Sequence, residues 1–191
     1  MMQAIASKNT EPEIRRVWAM PNSETFDIPP IRALVRSYLR GVAISLDPFA
    51  RNSRLCSYSN DLNPQTEADY HLDALEFLLL MKTKGIRPAV VLFDPPYSLR
   101  QCAEVYESVG KPVTQKDTQV FGRWTEHKEV VAELVLENGI VISCGWNSQG
   151  MGIQNGFKII EILLVCHGGA HNDTIITVEQ KLPVLQRGFE F

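Results

Sequence analysis

The sequence has no apolar run long enough to cross a bilayer. Its longest, within EFLLLM and EILLVC, fall far short of the ~20 residues a membrane helix needs. The opening stretch MMQAIASKNTEPEIRR holds no apolar segment of the kind a secretory leader carries, so none is expected. Cysteine is scarce. Cys56, Cys102, Cys144 and Cys166 include no CxxC pair, which argues against a zinc site and for reduced, mostly buried thiols in an intracellular protein. His167 and His171 in HGGAH have no carboxylate or thiol at convincing ligand spacing, so no metal is expected. Ser143 and Cys144 have no indicated His–acid partner, which argues against a nucleophilic triad. The glycines of GWNSQGMG lack the Lys-Ser/Thr of a P-loop, which argues against ATP. No internal repeat or low-complexity stretch is visible. A formal net charge of −3 excludes a polycation, but the charge is uneven. Residues 1–54 carry 8 Lys/Arg against 5 Asp/Glu, and residues 98–128 carry 5 against 4, while the other segments are acidic. Any contact with nucleic acid must come from those two regions.

What is present reads as one α/β domain. A length of 191 residues with 45% hydrophobic content suffices for a single core. Residues 1–20 are polar and expected to be flexible, leaving 21–191 as the folded domain. Ile31, Leu34, Val35, Tyr38 and Leu39 recur at helical spacing in DIPPIRALVRSYLRG, with prolines at the start and Gly41 at the end. VAISLDPF and RLCSYSNDLNP read as short strands ending in turns. DYHLDALEFLLLMKTKG reads as a helix closed by lysines and glycine. PAVVLF is an unbroken apolar strand, as in a sheet covered on both faces. SLRQCAEVYESVG opens with a Ser98/Gln101 capping box, and TEHKEVVAELVLENG is a further amphipathic helix. IVISCGW is a second buried strand, and FKIIEILLVC with TIITVEQ forms a hairpin. The expected architecture is Rossmann-like: a mainly parallel sheet with a C-terminal antiparallel hairpin strand.

Asp47, Asp61 and Asp94 each fall at the end of a predicted strand, the rim where such sheets bind ligands. The third opens the tetrapeptide Asp94-Pro95-Pro96-Tyr97. Asp94 is an acceptor, the Pro95 carbonyl is another, Pro96 locks the backbone, and Tyr97 is a rigid plate with a polar tip. Two fixed acceptors beside a stacking ring suit the exocyclic amine of a flat heterocycle, whose lone pair they would aim at an electrophile. A base taken from a duplex would first have to be flipped out.

DPPY resembles the fourth motif of the class I S-adenosylmethionine-dependent amino-methyltransferases, above all the DNA adenine-N6 enzymes. LDPFARNS resembles that family's first motif, NDLNP its second, LDALEFL its third, and GIVISCGWN the far wall of its target pocket. The motifs occur in the expected order over roughly residues 26–180. The resemblance implies that Asp47 and the backbone of Pro48, Phe49 and Ala50 hold the methionine end of the cofactor. Asp61 would meet the ribose, and Asp73 with the Ala74 amide the cofactor adenine. Asp94 and Pro95 would grip the target amine, with Tyr97 on the base. Phe26 to Ile28 would close over the cofactor. It implies methyl transfer to DNA adenine, with an RNA base methyltransferase or an inactive nucleic-acid- or partner-binding member as alternatives. Compactness and the lack of a separate recognition domain suggest a phage-type enzyme of the bacterial or infected-cell cytoplasm, with a short or relaxed target site.

Two departures stand out. Arg51, Asn52 and Ser53 occupy the place of the family's glycine loop. The spacings from Ser53 to Asp61 and from Pro64 to Asp73 are too short for the usual crossover helices, so at least one is expected to be missing. An unusual N-terminal cover or homo-oligomerisation is expected to compensate. The segment after DPPY supplies Arg100, Lys111, Lys116, Arg123, Trp124 and Lys128 as a candidate nucleic-acid clamp of cations and one stacking ring.

Overall fold

In a computed structural model, residues 11–110, 124–169 and 171–183 are described. The chain runs β1 (Glu13–Trp18), α1 (Pro29–Leu39), β2 (Ser45–Asp47), β3 (Tyr58–Ser59), α2 (Ala74–Thr83), β4 (Val90–Phe93), α3 (Leu99–Ser108), α4 (Thr125–Leu134), β5 (Ile140–Gly145), β6 (Phe157–Cys166) and β7 (Thr174–Lys181). The strands form one sheet in the order β1-β6-β7-β5-β4-β2-β3. β7 is antiparallel to both neighbours, and the other neighbouring pairs are parallel.

Hydrophobic pattern explains the layers. Ile31, Leu34 and Val35 of α1, with Phe26 and Ile28 before it, pack on Leu92, Ile142, Val165 and Val178. On the other face Phe77, Leu78 and Met81 of α2 and Val131 and Leu134 of α4 cover Leu46, Val91, Phe93 and Val141. Each such side chain contributes about 1.5–3 kcal/mol on burial. The four residues of β4 are all buried, as its unbroken apolar sequence requires.

Between β2 and β3 there is no helix. The loop itself supplies cover there, because Leu55 and Cys56 pack against the α1-side core.

The expectation of a flexible segment over residues 1–20 is corrected for 13–18. They form an edge strand parallel to β6, in register from Glu13↔Glu161 to Trp18↔Cys166. Most of its side chains are exposed, so no apolar pattern betrayed it. Its hold is polar. Arg15 Nε donates to Glu161 at 3.0 Å, and the Tyr38 hydroxyl donates to the same buried carboxylate at 2.8 Å. Residues 13–18 therefore widen the sheet at its β6 edge.

From β2 the chain steps outward to β3, then returns to β4 on the other side of β2. This reversal opens a crevice beyond the carboxyl ends of β2 and β4, the place where ligands enter open α/β sheets.

Candidate active site

Asp47 ends β2, and Asp94 directly follows β4, so the reversal brings both carboxylates to one rim. The crevice there has a volume of about 940 Å³. Asp47 is fully buried. Its Oδ1 accepts the Phe49 amide at 3.1 Å, and its Oδ2 is buried with no partner. Burial, with lesser help from the charges of Asp94 and Asp61, pushes its pKa well above the usual carboxylate range.

The loop after β2 is fastened by a residue the sequence motifs did not single out. Buried Asn60 donates to the carbonyls of Pro48 (3.1 Å) and Leu72 (3.0 Å) and accepts the Leu72 amide (3.0 Å). Its carbonyl also receives the Ala50 amide at 2.8 Å. An asparagine beside a strand-end aspartate, with donors and acceptor on one side chain, was the available signal. Asp61 accepts the amides of Arg51 (3.0 Å) and Asn63 (2.8 Å). Asp73 caps α2 through Leu75 and receives the Tyr106 hydroxyl, both at 2.9 Å. Ala74 opens that helix and also lines the crevice.

Arg51 explains the missing glycine. Its φ is +49°, the left-handed conformation that glycine adopts freely. Its guanidinium donates to the Ser23 carbonyl at 2.6 Å and lies 3.5 Å from the Glu24 carboxylate. The arginine thus straps the loop to Ser23 and Glu24. Arg51→Gly should keep the backbone path and lose the strap. Stability is expected to change by less than about 1 kcal/mol, because relief of strain offsets a mostly exposed ion pair. Limited proteolysis should cut residues 20–28 faster, while the melting temperature barely moves.

The strap reaches the tetrapeptide. Asp94 accepts the Tyr97 hydroxyl, and the Thr25 hydroxyl lies close enough to favour its charged form. Burial raises its pKa, while these two hydroxyls and the nearby Arg51 charge pull it partly back. The Tyr97 hydroxyl is held un-ionised by its own burial and by Asp94. The Tyr97 amide donates to Gln101 Oε1 at 2.8 Å, and the Gln101 amide to Ser98 Oγ at 3.2 Å, so the capping box fixes the exit of the knot. Pro95 and Pro96 both line the crevice. The Tyr97 ring lies 5.7 Å from Trp146, at 63° to it. Phe26 is core rather than crevice wall, Ile28 lines the crevice, and Thr25 is the residue of this segment that touches the knot.

The nucleic-acid clamp expected after DPPY is corrected in part. Trp124 is only 9% exposed, packed edge-on against Phe49 (5.4 Å) and His127 (4.9 Å). It braces the loop after β2 instead of offering a free plate. Lys128 is half-buried, and burial lowers its pKa against the opposing pull of the Glu179 charge. Arg100 is exposed and pairs with Glu104 at 2.8 Å. Lys111, Lys116 and Arg123 lie outside the described residues. Among the described residues no cluster of three metal-ligating side chains occurs, and no helix is long and apolar enough to cross a membrane.

The sequence matches no family model and no curated protein. Solved structures do match. SMU.776, described as a methyltransferase and complexed with SAH, superposes with a TM-score of 0.52 at 10% identity, over 78% of this chain and 48% of its own. NSun6 from Pyrococcus horikoshii, complexed with SFG, gives 0.52 at 10% identity over 78% and 51%. The N-methyltransferase NodS from Bradyrhizobium japonicum gives 0.50 at 10% identity over 83% and 99%. The chain has a Rossmann-like methyltransferase fold. It spans about half the length of SMU.776 and NSun6 and nearly all of NodS. In this fold Asp94 lines the crevice together with Pro48 and Phe49, while Asp47 is buried behind that loop within range of the Asp94 charge.

Proposed function

We propose that the protein transfers a methyl group from S-adenosylmethionine to the N6 amine of adenine in DNA. The observation that carries this reading is the DPPY knot lining the crevice, with the orphaned acceptor of Asp47 buried at the neighbouring strand end. A buried carboxylate oxygen without a donor fits a ligand that brings a cation. S-adenosylmethionine brings an ammonium and supplies an electrophilic methyl on a sulfonium. Asp47 with Pro48, Phe49 and Ala50 would hold the methionine end, Asp61 the ribose hydroxyls, and Asp73 with Ala74 the adenine. The last two carboxylates already accept two hydrogen bonds each, and a carboxylate has room for about two more. The intact left-handed turn at Arg51 speaks for a working loop and against an inactive scaffold.

On the target side, Asp94 and the Pro95 carbonyl accept the two N–H bonds of the amine, and Tyr97 meets the ring. That would leave the nitrogen lone pair free for the methyl group that S-adenosylmethionine supplies. S-adenosylmethionine would supply the methyl by breaking its sulfonium C–S bond and leaving as the thioether, and Asp94 would take the proton the nitrogen loses. A carboxylate whose pKa burial has raised is a better proton acceptor than a solvated one. No covalent link to the protein is needed.

The test is incubation of the whole chain with tritiated S-adenosylmethionine and matched DNA and RNA, with cofactor affinity measured by calorimetry. Label in DNA that maps to N6-methyladenine is the expected result. Label in RNA alone would overturn the DNA assignment, and undetectable cofactor binding would overturn the enzyme reading.

A further inference from the structure

Polar groups in the crevice divide into two sets. Asn60, Asp61 and Asp73 are engaged by the protein itself, and buried His167 uses both ring nitrogens, on the Ala19 carbonyl and the Thr174 hydroxyl at 2.8 Å each. Beyond Trp146 the situation changes. Trp146 follows β5 and is 45% exposed, while His171 and Asn172 stand exposed in the hairpin between β6 and β7. The Trp146 indole N–H, the His171 ring and the Asn172 amide have no hydrogen-bond partner among the described residues. These three planar side chains line the main crevice. The same three, with Asp173 and Ile175, line a second cavity of about 330 Å³ on the far side. They form the seam between the two spaces, one ring away from Tyr97.

We infer that this second cavity is a subsite for the nucleobase next to the target. The inference rests on reading the main crevice as a nucleobase methyltransferase site. Planar side chains with unspent donors and acceptors suit the face and edge of a base. Trp146 supplies the stacking plate. The Asn172 amide can donate and accept side by side, and His171 adds one further edge contact. A phosphate fits poorly, because the cavity is walled by Asp173 and, among the described residues, by no Lys or Arg. The Asp173 carboxylate accepts the His167 amide at 3.1 Å, which ties the hairpin in place beneath the two reading side chains. In this way a short hairpin would read the flanking base.

The experiment uses an oligonucleotide library with one adenine in random flanks, methylated by the full chain and sequenced at the modified positions. Trp146→Ala should lower kcat/KM by about 10- to 100-fold, the weight of one base stack, with cofactor affinity within twofold of wild type. Asn172→Ala and His171→Ala should flatten the preference at one flanking position. Thermal melts establish that each variant is folded. Flank preferences of both hairpin variants identical to wild type would overturn the subsite. Oligonucleotide binding, followed by tryptophan quenching in wild type against Trp146→Phe, separates the two levels. Trp146-dependent quenching without any methylation would overturn the functional reading and keep the subsite, and no quenching would overturn the subsite. The same flank shifts on RNA instead of DNA would keep it and correct the polymer.

Discussion

Asp94→Ala is expected to reduce methyl transfer at least about 1,000-fold, the range covered by a lost general base together with a lost positioning contact. Cofactor affinity should stay within about threefold, because the proposal gives Asp94 to the target amine and the cofactor to Asp47, Asp61 and Asp73. The Tyr97 hydroxyl loses its acceptor in this variant, a cost of about 1–3 kcal/mol if it finds no water. Single-turnover assays and calorimetry separate the two effects, and transfer at the normal rate would show that the knot is misassigned. The pH profile carries the same logic. Asp94 works as an acceptor only when ionised, and burial holds its pKa above the usual value of about 4. The rate should therefore fall on acidification with a midpoint above that value. Tyr97→Phe removes a hydrogen bond that favours the charged form, so the midpoint of this variant should move further up.

The central layers were legible because they follow simple periods. The 3.6-residue spacing of Ile31, Leu34 and Val35 marked α1, and the unbroken run at 90–93 marked a strand covered on both sides. β1 was hidden, since an edge strand held by Arg15 and Glu161 needs no apolar alternation. The rim of aspartates could be placed from strand ends alone, but not their state. That Asp61 and Asp73 are engaged while one oxygen of Asp47 is orphaned depends on loop geometry. Trp124 misled because tryptophan beside cations suits a nucleic-acid surface as well as a core, and only packing on Phe49 decides between them. Arg51 looked like damage to the loop, whereas the backbone there keeps the turn and the side chain adds a contact to Ser23.

Asp47→Asn should produce opposite effects on stability and on binding. A carboxylate whose folded pKa lies above its unfolded value favours folding below the unfolded value and loses that contribution as pH rises through the folded one. The wild-type protein without cofactor should therefore lose stability as pH climbs from about 4 toward neutrality. The substituted side-chain amide cannot ionise, yet its oxygen can still accept the Phe49 amide. The variant should show a flatter profile, with a higher melting temperature than wild type near pH 7 and a gap that closes near pH 4. Binding should respond the other way. Loss of a charge-assisted contact of about 1.5–3 kcal/mol would weaken cofactor affinity roughly 10- to 150-fold. Saturating S-adenosylmethionine should then raise the melting temperature of wild type strongly and that of the variant little. A variant less stable than wild type at neutral pH, or one binding the cofactor equally well, would remove Asp47 from the site. Both results together would mean that the fold carries an unpaired buried charge at the end of β2 because its ligand requires it, a cost in stability borne for function.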